Sequence, residues 1–99
     1  MSLGVIFSCN VTVGDFNVFN TRVTIGHDVE VGSFNVFSPN VQVSGSVRIE
    51  NSNFFGFNCG IIQKKKIGNN NIIGAGAIVL RVIADNGTYF GTPAIKIKI

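Results

Sequence analysis

A chain of 99 residues suffices for one small domain, and a composition that is 45% hydrophobic and 13% charged excludes a disordered chain. The net charge of +3 is modest and mostly scattered, which argues against a nucleic-acid-binding surface, and no apolar run reaches the roughly 18 residues of a membrane helix. The first residues lack the features of a signal peptide, and two cysteines are too few for a disulfide scaffold, so we expect a cytoplasmic protein.

A repeat of six residues runs without interruption from Phe7 to Val79. Every sixth residue from Phe7 is large and apolar, and a smaller apolar set that includes Val23 and Cys59 lies four places later. Six residues can form a short strand and a turn, and three such units close a triangular coil of about 18 residues. The sequence therefore predicts an all-β fold, a parallel β-helix with three hexads per coil and about four to five coils.

Residues three hexads apart should stack on neighbouring coils. The apolar columns are Phe19, Phe37, Phe55 and Ile73; Val13, Val31, Ile49 and Ile67; and Phe7, Ile25, Val43, Ile61 and Val79. A fourth column consists of Asn17, Asn35, Asn53 and Asn71, whose amides can bond from coil to coil. The alternative, a β-sandwich, requires alternation of period two and hairpins of variable spacing, which this chain lacks.

The regular repeat is expected to end after Ala84. We therefore divide the chain into a β-helix at 1–84 and a C-terminal extension at 85–99 that packs on it. Within the basic cluster 64–66, Lys65 falls at an inward position, and we expect the coil to bulge there. Cys9 and Cys59 would lie about three coils apart, roughly 13 Å, which is too far for a disulfide.

His27 is the single histidine and lies between the inward positions of Ile25 and Val29, so its side chain should point outward. A neutral imidazole can take a proton from a hydroxyl or amine that attacks a thioester. Asp28 could orient the ring, although adjacent strand residues face opposite ways, so a direct contact requires the corner to bend. The alternative is that His27 is a solvated surface residue and that Asp28 is a solvated carboxylate at a turn.

Four segments of the chain resemble bacterial hexapeptide-repeat sugar acetyltransferases. The stretch 20–28 resembles an "NT…I-x-H-[D/E]" signature and 43–49 an "ISG-x-V-x-I" segment, while 73–79 resembles "IGAGAVV" and 91–94 a closing "G-x-PA". That family includes sialic acid O-acetyltransferases and N-acetyltransferases of UDP-linked amino sugars. The resemblance covers roughly residues 10 to 97, and it implies a left-handed coil.

The resemblance also implies roles for individual residues. His27 would be the general base, Asp28 its partner, and the backbone N–H of Gly45 would polarise the thioester carbonyl. Pantetheine of acetyl-CoA would lie along Gly45 and along Gly74, Ala75 and Gly76. Independently of the resemblance, the basic cluster 64–66 could attract the phosphates of CoA, helped by Arg81 or Lys96, and the alternative is a solvated edge. Asn20 and Asn35 are the expected substrate-binding residues. Such enzymes are homotrimers with CoA bound between two β-helices, and they usually carry an N-terminal nucleotide-sugar domain. These 99 residues do not include such a domain, so we expect either a fragment or a minimal relative.

A metal centre is not expected. Left-handed β-helices include γ-class carbonic anhydrases, which hold zinc with three histidines, and this chain has one histidine. Cys9 and Cys59 are not spaced as a zinc pair either.

Three hypotheses follow from the sequence. The first is an acetyl-CoA-dependent acetyltransferase that acts on a hydroxyl or amino group of a sugar or nucleotide sugar. The second is a hexapeptide acyltransferase for another small acceptor. The third is a non-catalytic trimeric β-helix scaffold or fragment.

Overall fold

The computed structural model describes residues 4–97, which form fifteen short strands. In chain order these are β1 (Ile6–Phe7), β2 (Thr12–Val13), β3 (Val18–Phe19), β4 (Thr24–Ile25), β5 (Glu30–Val31), β6 (Val36–Phe37), β7 (Gln42–Val43), β8 (Arg48–Ile49), β9 (Phe54–Phe55), β10 (Gly60–Ile61), β11 (Lys66–Ile67), β12 (Ile72–Ile73), β13 (Ile78–Val79), β14 (Thr88–Phe90) and β15 (Ile95–Lys96). Over 4–97 there is no helix long and apolar enough to cross a membrane.

Every third strand joins the same sheet, so the chain winds through three sheets in turn. Sheet 1 contains β1, β4, β7, β10 and β13; sheet 2 contains β2, β5, β8 and β11; and sheet 3 contains β3, β6, β9, β12, β14 and β15. All pairings are parallel except that of β14 with β15. Phe7 pairs with Ile25 and Phe19 with Phe37, and each pair is separated by three full hexads. The predicted parallel β-helix with three hexads per coil is thereby confirmed.

One residue in each hexad turns the corner in the left-handed backbone region. These residues include Asn10 at φ 62°, Asp28 at φ 55° and Asn40 at φ 64°. Asparagine and aspartate tolerate this conformation better than most residues, because their short polar side chains bond locally. Among the described residues, asparagine fills five of the twelve non-glycine positions in this region, and Phe16, Arg22 and Phe34 are among the others.

The interior is a stack of the predicted apolar columns, in which Val13 is an exposed member. The rings of Phe19, Phe37 and Phe55 stack at centroid separations of 4.7 Å, and Phe37 and Phe55 are fully buried. Offset stacking of this kind adds about 0.5–1.5 kcal/mol per pair to the burial of apolar area. The column therefore ties three successive coils together.

The asparagine column also lies inside, at the corner between sheets 2 and 3. The Asn53 N–H donates to Asn35 Oδ1 at 2.9 Å, and Asn53 Nδ2 donates to the Gly68 carbonyl at 2.8 Å. Asn71 N–H in turn donates to Asn53 Oδ1 at 2.9 Å. Burying an amide is costly unless its groups are bonded, and this ladder satisfies them coil by coil.

The final coil is shorter than the others by two positions. Ile67 pairs with Ile49, three full hexads before it, but it bridges to Ile83, which falls two positions short of three hexads after it. The same shift places Tyr89 beside Ile73, so β14 continues sheet 3 past Ala84. The chain therefore continues to coil after the hexad pattern ends. The spacing between paired residues changes from 18 to 16 between Val79 and Ile83.

The bulge expected at Lys65 is absent. Gly60 pairs with Gln42 and Lys66 pairs with Arg48, both at the spacing of one full coil, so the register is unbroken on either side of Lys65. Lys65 is half-buried in an inward column. A long aliphatic stem can lie along apolar surface while the ammonium stays near water, which lets the coil pass without a bulge.

Candidate active site

His27 and Asp28 form a contacting pair at the corner that leads from β4 to β5. Nδ1 of His27 lies 2.9 Å from Oδ2 of Asp28, and the two side chains are 59% and 50% exposed. The corner bends because Asp28 adopts φ 55°, which turns its carboxylate back toward the preceding ring. The structure therefore brings together the two residues that sequence reasoning paired.

The carboxylate of Asp28 has a second partner that sequence reasoning missed. Nδ2 of Asn10 donates to Oδ1 of Asp28 at 2.8 Å. The hydrogen bonds from His27 and then from Asn10 hold the pKa of the Asp28 carboxyl below its ordinary value. Asn10 precedes Asp28 by one full coil, so the repeat itself contained the signal that the two corners stack.

Gly45 occupies the corner position one coil beyond His27. A methyl group on Gly45 would lie 2.5 Å from Nε2 and 2.7 Å from Cε1 of His27, so the outer edge of the ring rests on this glycine. The Gly45 N–H makes no hydrogen bond to another residue of 4–97, whereas its carbonyl accepts from Lys64 N–H at 3.0 Å. The corner thus brings Nε2 of His27 close to Gly45, whose N–H has no partner among residues 4–97.

The glycine-rich segment 74–76 lies at a different corner, where the chain passes from β12 in sheet 3 to β13 in sheet 1. Ala75 and Gly76 are exposed, and Gly76 turns the corner at φ 71°. Gly74 is buried, and the ring of Phe90 covers its α-carbon. Pantetheine is expected to lie along all three residues, and in one chain Phe90 covers Gly74, which leaves Ala75 and Gly76 as the exposed part of the segment.

Arg81 and Lys96 come together at the C-terminal end of the coil. Both line a cavity of about 410 Å³ whose other walls are largely apolar, including Tyr89 and Ile95. Arg81 follows β13, which is two strands past β7 in sheet 1, so this end is separated from the corner of Gly45. In one chain these two cations therefore form a group of their own rather than part of the His27 corner.

The two asparagines predicted to bind substrate lie in different environments. Asn20 is half-buried, and its Nδ2 donates to the Phe37 carbonyl at 3.0 Å. Asn35 is fully buried, with its Nδ2 bonded to the Glu50 carbonyl at 2.8 Å. The assignment of Asn35 to substrate binding is wrong, because it belongs to the interior ladder and reaches no surface.

The basic cluster 64–66 is partly paired. Nζ of Lys66 lies 3.7 Å from Oε1 of Glu50, and Nε of Arg48 lies 3.3 Å from the same oxygen. Within residues 4–97 no group of three or more histidine, cysteine, aspartate or glutamate side chains could hold a metal ion.

The sequence matches no protein-family model and has no significant match among curated proteins. The structure, in contrast, resembles many solved structures. PerB from Caulobacter crescentus, in complex with CoA and GDP-perosamine, gives a TM-score of 0.74 at 23% identity, covering 96% of this chain and 55% of its own. A maltose O-acetyltransferase from Clostridium difficile 630 gives 0.84 at 23%, covering 99% and 67%. A serine acetyltransferase in complex with cysteine gives 0.83 at 19%, covering 89% and 38%.

These similarities establish a shared fold. At identities between 19% and 23% the common feature is the β-helix itself, which agrees with the fold that the sequence resemblance implied. The chain spans about half the length of PerB.

Proposed function

We propose that this chain is the acyl-transfer unit of an acetyl-CoA-dependent acetyltransferase that acts on a hydroxyl or amino group of a sugar or nucleotide sugar. The observation that carries the proposal is the His27 corner, where Asp28 holds Nδ1 and leaves Nε2 over Gly45. The proteins that share the fold support it, since PerB is described with CoA and a nucleotide sugar and another acetylates maltose.

In this mechanism His27 is the general base. Nε2 takes the proton of the acceptor O–H or N–H while the acceptor atom forms a bond to the thioester carbonyl carbon. The Gly45 N–H, which has no partner among residues 4–97, donates to the oxyanion that develops on the carbonyl oxygen. The C–S bond then breaks, and the imidazolium of His27 returns the proton to the sulfur of CoA. Asp28 stabilises the imidazolium through Nδ1.

We further propose that the active form is a homotrimer. Two corners lie at opposite ends of the strands of sheet 1. One is formed by His27 and Gly45, which follow β4 and β7, and the other by Ala75 and Gly76, which precede β13, so one chain does not bring them together. A second copy can place its own glycine corner beside His27. The outer face of sheet 3 offers apolar area for such packing, since Val18, Phe54 and Ile72 are each almost half exposed.

Sedimentation tests the assembly. We expect a species of about three times the chain mass of 10.6 kDa at micromolar concentration. A species of the chain mass alone at that concentration would contradict the trimer. In a monomer, moreover, Ala75 and Gly76 would not lie beside any His27.

Calorimetry tests the binding of CoA independently of any acceptor. The glycine corners, Arg81 and Lys96 all belong to this chain. Its trimer should therefore bind CoA without an acceptor or a further domain. An absence of binding at millimolar CoA would count against every acyltransferase hypothesis.

The catalytic role of His27 is tested by His27→Ala in an assay of thiol release from acetyl-CoA with sugar acceptors. General-base catalysis contributes about 10² to 10⁴-fold, so kcat should fall by that factor while the affinity for CoA is nearly unchanged. Thr12→Ala, on the exposed outer face of sheet 2, is the control and should retain full kcat. Near-full kcat in His27→Ala would show that the histidine is only a surface residue.

Two other functions make different predictions. A serine acetyltransferase shares this fold, so a small non-sugar acceptor is the first alternative, and it predicts thiol release with amino acids but not with sugars. The second is a trimeric scaffold without catalysis, which predicts no thiol release with any acceptor and no binding of CoA.

A further inference from the structure

Asp28 is held from two coils at once. Its Oδ2 contacts Nδ1 of His27 at 2.9 Å, its Oδ1 accepts from Nδ2 of Asn10 at 2.8 Å, and its N–H donates to the Cys9 carbonyl at 3.1 Å. Asn10 and Asp28 turn stacked corners with nearly the same φ, 62° and 55°. The backbone and the side chain of Asp28 are therefore both fixed by the coil that precedes it.

The chemistry of these groups determines where the protons lie. An ionised carboxylate only accepts hydrogen bonds, so the amide nitrogen of Asn10 must face Oδ1. For the same reason a neutral His27 must carry its proton on Nδ1, the nitrogen that faces Oδ2. The lone pair is then on Nε2, the atom that rests over Gly45.

We propose that Asn10 is a positioning residue, whose amide fixes the carboxylate of Asp28 so that neutral His27 stays in the Nδ1–H form with Nε2 free. Without the Asn10 bond, the corner backbone still brings the carboxylate toward the ring, but the carboxylate can rotate and bond to water instead of Nδ1 for part of the time. The consequence for catalysis rests on the proposed function, whereas the tautomer of His27 does not.

A conformational role alone does not account for Asn10. Asn40 occupies the same left-handed corner position at φ 64°, and its Nδ2 donates to Oδ1 of Asn58 across the coils. Asn40 thus has the same backbone role and a similar bond, but its partner is an amide distant from His27. Among the described corner asparagines, Asn10 donates to the carboxylate that contacts His27.

Two variants separate the amide from the backbone. Asn10→Gly removes the side chain while keeping a residue that tolerates φ 62°, and Asn10→Asp keeps the shape while replacing the donor by a second carboxylate. Asn40→Gly is the matched control, because it loses an equivalent bond at an equivalent φ. Circular dichroism establishes that each variant is folded before it is compared.

The readout is the ¹⁵N spectrum of the imidazole in the full chain, which has a single histidine and so gives an unambiguous signal. We expect wild type and Asn40→Gly to show neutral His27 as Nδ1–H, and both Asn10 variants to show a mixture of the two tautomers. The kcat for acetyl transfer should fall roughly 3- to 10-fold in the Asn10 variants, with KM for acetyl-CoA unchanged, as expected for the loss of one ordinary hydrogen bond in a solvent-exposed pair.

The outcomes distinguish the two proposals. An unchanged Nδ1–H tautomer in folded Asn10→Gly and Asn10→Asp would overturn the positioning role, whatever the activity. A tautomer shift together with no acetyl transfer by the wild type would support the role of Asn10 at the imidazole while contradicting the proposed function.

Discussion

The imidazole of His27 rests on the α-carbon of Gly45, the residue that occupies the same corner one coil later. The space that a side chain at position 45 would fill is taken by the outer edge of the ring, with Nε2 2.5 Å and Cε1 2.7 Å from where a methyl group would lie. The missing side chain of Gly45 thus leaves room for the imidazole, and in the mechanism proposed above the Gly45 N–H would donate to the oxyanion.

Gly45→Ala should displace His27 and cut acetyl transfer about 10²-fold, because a shift of about 1 Å in a reacting group can cost that much. The measurement is kcat with sugar acceptors alongside CoA binding by calorimetry. Gly60→Ala is the control, since a methyl there first meets the flexible end of Ile78 at 3.1 Å, and it should leave kcat unchanged. Equal rates for Gly45→Ala and wild type would show that the contact with His27 has no catalytic consequence.

The fold could be predicted because its main determinant is local and repeated. Inward positions such as Phe37 and Ile61 recur in every hexad, and the pairing of strands one coil apart follows from three hexads per coil. The last coil could not be predicted, because it is two residues shorter than the others. No feature of the hexad pattern marks where the strand register shifts between Val79 and Ile83.

The candidate site was only partly predictable. Register alone placed His27 outward, whereas Gly45 came from the family resemblance. The contact of His27 with Asp28 depends on a left-handed corner, which a period of six does not specify. The substrate-binding role of Asn35 came from the family resemblance, whereas the structure shows that the column it shares with Asn17 and Asn53 is an interior ladder at this position. Phe90 covers Gly74 because the last coil is two residues shorter, which places Tyr89 beside Ile73.

Phe37→Ala should lower the free energy of unfolding by about 3–5 kcal/mol, because it leaves a cavity between two stacked rings in a fully buried column. Phe57→Ala is the matched control, since Phe57 is 56% exposed and should change the stability by less than about 0.5 kcal/mol. Denaturant unfolding followed by circular dichroism gives both values. A loss in Phe37→Ala no greater than that in Phe57→Ala would mean that the stack does not hold the coils together.

The two cysteines should differ sharply in reactivity. Cys59 is fully buried, and burial raises the pKa of its thiol to about 12, whereas Cys9 is exposed. A thiol reagent at pH 8 should label one cysteine per native chain and two after unfolding in guanidinium. Cys9→Ser should abolish labelling of the native chain. Two rapidly labelled thiols in the native wild type would show that the interior around Cys59 opens readily.

Asp28 should make the stability of the chain depend on pH in acid. Its folded-state pKa lies below the ordinary value of 3.8, chiefly because of the bond from His27 and then that from Asn10. A carboxylate with a lowered pKa stabilises the folded state above its ordinary pKa, and the contribution is lost as pH falls through the folded-state value.

We therefore expect the urea midpoint of wild type to fall more steeply below about pH 4 than that of Asp28→Asn, whose amide does not titrate there. Asn10→Gly should give an intermediate slope, because it removes the smaller of the two hydrogen bonds that lower this pKa. The side chain of Asp28 is half exposed, so high salt should reduce the difference between wild type and Asp28→Asn. Parallel midpoints for wild type and Asp28→Asn from pH 5 to pH 2 would mean that the carboxylate gains nothing from His27 and Asn10 in the folded chain.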